Sequence, residues 1–120
     1  MTGILVVEDE QSVAGALGMI LEDSGFLVRL ASTGREGIAL ARVLAFDVTI
    51  SDYHLPDITG IEVLKAVLRL NPRGATILIT AHSTPELVAE ATACGVHTVL
   101  KKPFPPSEIL SLVKSLVGRG

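Results

Sequence analysis

The segment "ISDYHLPDITG", residues 50–60, decides how the chain is read. It closes a short apolar run, Val48–Ile50, on an acid, Asp52, and then turns through Pro56 and Gly60. A strand that is almost wholly apolar belongs inside a sheet covered on both faces. An acid where such a strand surfaces either caps the turn that follows or takes part in chemistry at the strand's end.

Outward from this stretch lie similar runs at Ile4–Val7, Phe26–Ala31, Ala75–Thr80 and Thr98–Leu100. Helical patterns separate them. Val13, Leu17, Ile20 and Leu21 fall on one helical face, as do Ile61, Leu64 and Leu68, and again Ile109, Leu112, Val113, Leu116 and Val117. Weaker patterns surround Leu40–Leu44 and Leu87–Cys94. Gly25 suits the left-handed residue after the first helix. Thr84-Pro85-Glu86 reads as a cap, a proline in the first turn and an acid near the helix N-terminus. Asn71-Pro72 ends the third helix, Pro105-Pro106-Ser107-Glu108 starts the last, and Gly118 ends it. Five strands alternating with five helices predict an α/β fold, a doubly wound parallel sheet.

Composition bounds the function. A chain of 120 residues is one ordinary domain, read here as spanning 1–120. Apolar residues make up 48% and charged ones 19%, which is a folding composition and not a disordered one. The net charge of −3, with Lys101-Lys102 the only adjacent basic pair, argues against nucleic-acid binding by this domain. No apolar run approaches the ~20 residues of a membrane span, and Met1-Thr2-Gly3 does not open a signal peptide. A single cysteine, Cys94, fits a small buried hydrophobe in a reducing, cytoplasmic setting.

The residues just past each strand carry the chemistry. Glu8 and Asp9 follow the first, Asp52 the third, Thr80 and Ala81 the fourth, and Lys101, Lys102 and Pro103 the fifth. A doubly wound sheet gathers these positions on one edge. Two unit charges ~4 Å apart repel by about 4 kcal/mol at an effective dielectric near 20. Three carboxylates therefore call for a cation or a proton. Oxygen donors with room for water suit Mg²⁺. A neighbouring lysine and a hydroxyl suit a phosphoryl group, and a carboxylate can become an aspartyl phosphate.

At this point the residues resemble the response-regulator receiver (CheY-like) domain of two-component signalling. The resemblance covers essentially the whole chain. It rests on "LVVEDE" at the first strand end, "SDYHLPDITGIEVL" around Asp52, "ILITA" at the fourth strand and "KKPF" at the fifth. It implies a flavodoxin-like (βα)5 fold with strand order 2-1-3-4-5. It implies Asp52 as phosphoacceptor, with Thr80 and Lys102 contacting the phosphoryl group. Glu8, Asp9, Asp52 and the backbone carbonyl of His54 would hold Mg²⁺, or Mn²⁺ in its place, Asp9 directly and Glu8 through water. Lys102 matches the family lysine because it directly precedes Pro103-Phe104, and receivers usually hold that bond in cis. The domain would be a phosphoacceptor that catalyses its own phosphorylation and dephosphorylation, not a turnover enzyme. Its partner would be a sensor histidine kinase or a phosphotransfer protein, and its output a shift of the surface formed by the last helices and strand. Any homodimer would use residues 84–117.

Two features qualify the resemblance. Receivers commonly carry Tyr or Phe three residues before the lysine, and this chain has Val99 there. His54 and His82 occupy positions that flank the phosphoryl group in the family, and the pair is expected to tune its lifetime, with a pH dependence near neutrality. Other functions fit less well. A flavodoxin-like cofactor binder would want a phosphate loop after the first strand, where this chain has acids. A dehalogenase-type phosphatase would want an acid where His54 stands. A degenerate receiver that binds partners without phosphorylation is the alternative. The motifs fit receivers attached to transcription regulators or hybrid kinases as well as stand-alone ones.

Overall fold

The strands form a single parallel sheet in the order β2-β1-β3-β4-β5. The computed structural model describes residues 2–118. Along the chain the elements are β1 (Gly3–Val7), α1 (Gln11–Asp23), β2 (Leu27–Ala31), α2 (Gly34–Val43), β3 (Val48–Asp52), α3 (Gly60–Leu70), β4 (Ala75–Thr80), α4 (Pro85–Ala93), β5 (Thr98–Lys101) and α5 (Pro106–Val117). The expected five-strand, five-helix alternation and its 2-1-3-4-5 order are therefore what the chain adopts.

Strand alternation assigns the faces. Ile4, Val6, Ile50, Ile77 and Ile79 point to one side, where Leu17 and Leu21 of α1 and Ile109 and Val113 of α5 cover them. Leu5 and Val7 point to the other, against Val63 and Val67 of α3 and the half-buried Ile38 of α2. Leu78 meets Ile61 and Leu64 of α3 and Ala91 of α4. The α3 face is therefore wider than the Ile61, Leu64, Leu68 stripe suggests. The helix is wedged between two neighbours and buries residues toward both.

Local chemistry sets the ends. Gly25 has φ +95°, as its place after α1 requires, and Gly95 after α4 has φ +93°. Thr84 caps α4 by accepting the Leu87 N–H at 3.1 Å. Thr59 and Glu62 form a reciprocal capping box at α3. Asn71 follows α3, and its side chain donates to the Phe46 carbonyl at 2.9 Å. β2 differs most from expectation. It begins at Leu27, not Phe26, and lies at the sheet edge, with Leu27 56% and Leu30 45% exposed. An apolar run does not reveal whether its strand has one neighbour or two.

One helix start receives help from far along the sequence. Thr33 caps α2 by accepting the Glu36 N–H at 3.1 Å. The carboxylate of Asp57 also accepts the Gly34 and Arg35 N–H groups, each at 2.9 Å. The Arg35 N–H chiefly holds the Asp57 carboxyl below its ordinary pKa, against the effect of burial, with the Gly34 and Ile58 N–H groups adding to it. A depressed folded-state pKa stabilises above the unfolded value, ~4, and that stability is lost as pH falls through the lower folded value. In urea denaturation, Asp57→Ala should lower the midpoint by a constant amount above pH ~5. The gap to wild type should close as pH drops below ~4.

Candidate phosphoryl and metal site

Parallel register brings the strand ends together. Val7 pairs with Ser51, Asp52 with Ile79, and Thr80 with Lys101. One step further along each strand stand Glu8, Asp52, Thr80 and Lys102, at the carboxyl edge of three adjacent strands and the loop beyond a fourth. Asp52 and Thr80 are the last residues of their strands and are buried. Gly60 is what lets the chain fold back so closely on Asp52. A Cβ there would lie 2.2 Å from the Asp52 carbonyl oxygen.

Carboxylate oxygens of Glu8, Asp9 and Asp52 all lie within 4.8 Å of one another. Glu8 is buried and Asp9 exposed. Lys102 reaches into this cluster. Its Nζ lies 2.7 Å from Glu8 Oε1 and 3.4 Å from Asp52 Oδ2. Lys101, next to it, is exposed. The Lys102–Pro103 peptide is cis. Glu8 Oε2 also accepts the Glu10 N–H at 3.2 Å. The two partners respond in the same direction for different reasons. Burial pushes the Glu8 carboxyl up, and the hydrogen bonds from Lys102 and Glu10 reverse only part of that. Burial also works against the Lys102 ammonium, but the Glu8 hydrogen bond and the Asp52 charge outweigh it and raise its pKa.

Thr80 is fully buried, and its Oγ1 accepts the His82 N–H at 3.2 Å. His82 and His54 are both exposed in loops at this edge, and the His54 ring meets that of Tyr53 edge-on, with centroids 4.9 Å apart. Val99 lies on β5, half-buried among Tyr53, Leu87 and Cys94 beside the α3–α4 core. The cluster is a hard-donor set. Three carboxylates in a partly open cleft fit a divalent ion with waters completing its shell.

Sequence reasoning named Glu8, Asp9, Asp52, Thr80 and Lys102, and the fold gathers them. It did not find the direct Glu8–Lys102 bond, whose partners are 94 residues apart. Nor did it find the clamp made by Asp57, where only the residue type gave a signal.

A doubly wound sheet with this carboxyl-edge site places the chain in the CheY-like class. The receiver-domain family model of response regulators matches residues 4–114, and the chain belongs to that family, the receivers of two-component systems. It is 36% identical over 112 residues, 93% of its length, to a response regulator receiver protein of Anaeromyxobacter sp. (strain Fw109-5). It is 34% identical over 117 residues, 98% of its length, to the transcriptional regulatory protein CusR of Escherichia coli (strain K12). The chain spans about half the length of these curated relatives, 47% and 52%. Among solved structures, a CheY-like receiver domain protein of Methanospirillum hungatei JF-1 superposes with a TM-score of 0.96 at 28% identity, covering 99% of this chain and 95% of that one. Chemotaxis protein CheY4 of Vibrio cholerae gives 0.91 at 34% identity, covering 97% and 98%. No helix among the described residues is long and apolar enough to cross a membrane.

Removing the lysine tests the electrostatics. Lys102→Met leaves buried carboxylates without their counter-charge, and should cost ~1–3 kcal/mol at pH 7. The loss should shrink toward pH 5, as Glu8, whose carboxyl moves further up, takes a proton. Urea melts and a carboxyl-carbon NMR titration of Glu8 would check both.

Proposed function

We propose that residues 1–120 work as one receiver domain in which Asp52 accepts a phosphoryl group from the phosphohistidine of a sensor kinase or phosphotransfer protein. The observation that carries this reading is Lys102 Nζ, set between Glu8 and Asp52 at 2.7 and 3.4 Å. An Asp52 oxygen attacks phosphorus, the P–N bond breaks, and the imidazole leaves with the electron pair. Lys102 exchanges its contact with Asp52 for a phosphoryl oxygen and neutralises it. The Thr80 hydroxyl, an acceptor toward His82 N–H, has its own proton to donate to another. Glu8, Asp9, Asp52 and the His54 carbonyl would hold Mg²⁺ or Mn²⁺, which when bound supplies positive charge to the phosphoryl oxygens.

Modification adds roughly one negative charge at the edge. Rearrangement of Thr80 and the loop leading into α4 then shifts the balance between two states of the α4–β5–α5 surface. With Val99 in place of a ring, that balance is carried by Thr80 and the loop. The same surface, residues 84–117, is where a homodimer would form. The domain acts in the cytoplasm as a self-modifying phosphoacceptor, without turnover of a separate substrate.

Incubation with acetyl phosphate and Mg²⁺, followed by intact mass at early times, tests the site. Wild type should gain one phosphoryl adduct that requires Mg²⁺, and Asp52→Asn should gain none. An adduct of equal yield on Asp52→Asn would sink the assignment. The flanking histidines are tested by the decay of that adduct. His54→Ala and His82→Ala should each change its lifetime, and lifetimes equal to wild type across pH 6–8 would remove them from the mechanism.

A further inference from the structure

We propose that Asp57 is a positioning residue for phosphoryl acceptance at Asp52, holding the loop between β3 and α3 by clamping its tip to the start of α2. This rests on the functional reading above and names a residue that takes no part in the chemistry itself.

The loop is fixed at both ends. At its neck the Gly60 N–H donates to the Tyr53 carbonyl at 2.8 Å, and His54 bridges Thr59. At its tip Asp57 Oδ1 accepts the Gly34 N–H and Oδ2 the Arg35 N–H, both at 2.9 Å. The Asp57 side chain is only 20% exposed, although the residue lies on the surface, so the carboxylate is turned inward onto the helix. Oδ1 also accepts the Ile58 N–H at 2.9 Å, which sets the carboxylate's angle from within its own loop. The Arg35 side chain adds little. Its Nε stands 3.8 Å away and the chain is 80% exposed.

Steric fit supports the same contact. A Cβ at Gly34 would lie 2.4 Å from Ile58 Cγ1 and 2.8 Å from Val63 Cγ2. The loop and α3 therefore press onto bare backbone at the first residue of α2. That helix already has a local cap in Thr33, which bonds the Glu36 N–H. The distant carboxylate satisfies two further orphan N–H groups and favours the positive end of the helix dipole. These contacts also add a polar tether at the tip of a loop otherwise held by its neck and by the packing of Leu55 and Ile58. That loop begins at the residue after Asp52 and contains His54. Groups that must meet a phosphoryl donor in line lose rate steeply when displaced, ~100-fold for 1 Å.

The two caps of α2 make the test. Thr33→Ala and Asp57→Ala both weaken the helix start, but only Asp57 touches the loop. Both variants should lower the urea midpoint. Asp57→Ala should also speed amide hydrogen exchange across residues 53–59 in metal-free protein and slow phosphorylation by acetyl phosphate about tenfold, short of that ~100-fold limit. Thr33→Ala should leave both near wild type, and Asp57→Asn, which keeps one acceptor oxygen, should recover part of the rate. Equal slowing by Thr33→Ala, or unchanged loop exchange in Asp57→Ala, would overturn the proposal. If wild type itself takes no phosphoryl group, the functional reading fails and takes the positioning role with it. Loop exchange, measured without metal or phosphodonor, would still report whether the clamp exists.

Discussion

Mutual repulsion of three carboxylates at one sheet edge is the constraint on which the rest of the site depends. Parallel register forces it. Once Val7 pairs with Ser51 and Asp52 with Ile79, the acids after β1 and at the end of β3 cannot avoid each other. Lys102 answers that field from the loop after β5, with the Glu8 side chain fully withdrawn from water and Lys102 largely so. A cluster built this way does little to hold the fold together. Desolvation of the ions consumes much of what their attraction returns, whereas each fully buried Ile or Leu of the sheet contributes roughly 1.5–3 kcal/mol. The apolar layers carry the stability, and the edge is left poised to exchange charge with a ligand.

Much of this was legible in the chain. The alternation of short Val/Ile runs with amphipathic stretches announces a parallel sheet, and the order of the motifs places Glu8, Asp9, Asp52, Thr80 and Lys102 at successive strand ends. Turn chemistry told true at Gly25, Thr84 and Pro106, because each acts on backbone within a few residues of itself, and at Asn71, where the following Pro72 ends the helix. What stayed hidden depends on distance. Nothing local distinguishes Phe26–Ala31, which lies at an edge, from the interior strands. Nothing near Asp57 says that its acceptors face Gly34 and Arg35, and nothing near Gly60 says that the Asp52 carbonyl would occupy the place of a Cβ. Val99 was visible as an exception, but where it packs, beside Tyr53 and Leu87, is a property of the folded core.

Glycine has two distinct uses here. Gly25 and Gly95 are required for their positive φ, and would be strained by any side chain. Gly34 and Gly60 have ordinary backbone angles and are required because another segment occupies the space. The first kind shapes a chain reversal. The second kind lets two segments pack closely: Gly60, at the end of the loop that follows Asp52, against the Asp52 carbonyl, and Gly34, at the start of α2, against the side chains of Ile58 and Val63.

The exposed flank of β2 has a consequence for life in a crowded solution. An edge strand presents a row of unpaired amides and carbonyls, a template for adding a strand from another molecule. Leu27 and Leu30 make this flank adhesive as well as open. Its protection is slight: five residues of length, and one charge, Arg29, exposed at the centre of Leu27–Ala31. Without that charge the strand would read Leu-Val-x-Leu-Ala, an uninterrupted apolar ribbon of the kind that seeds cross-molecule sheets. Arg29 therefore stands as a gatekeeper at the sheet edge opposite β5.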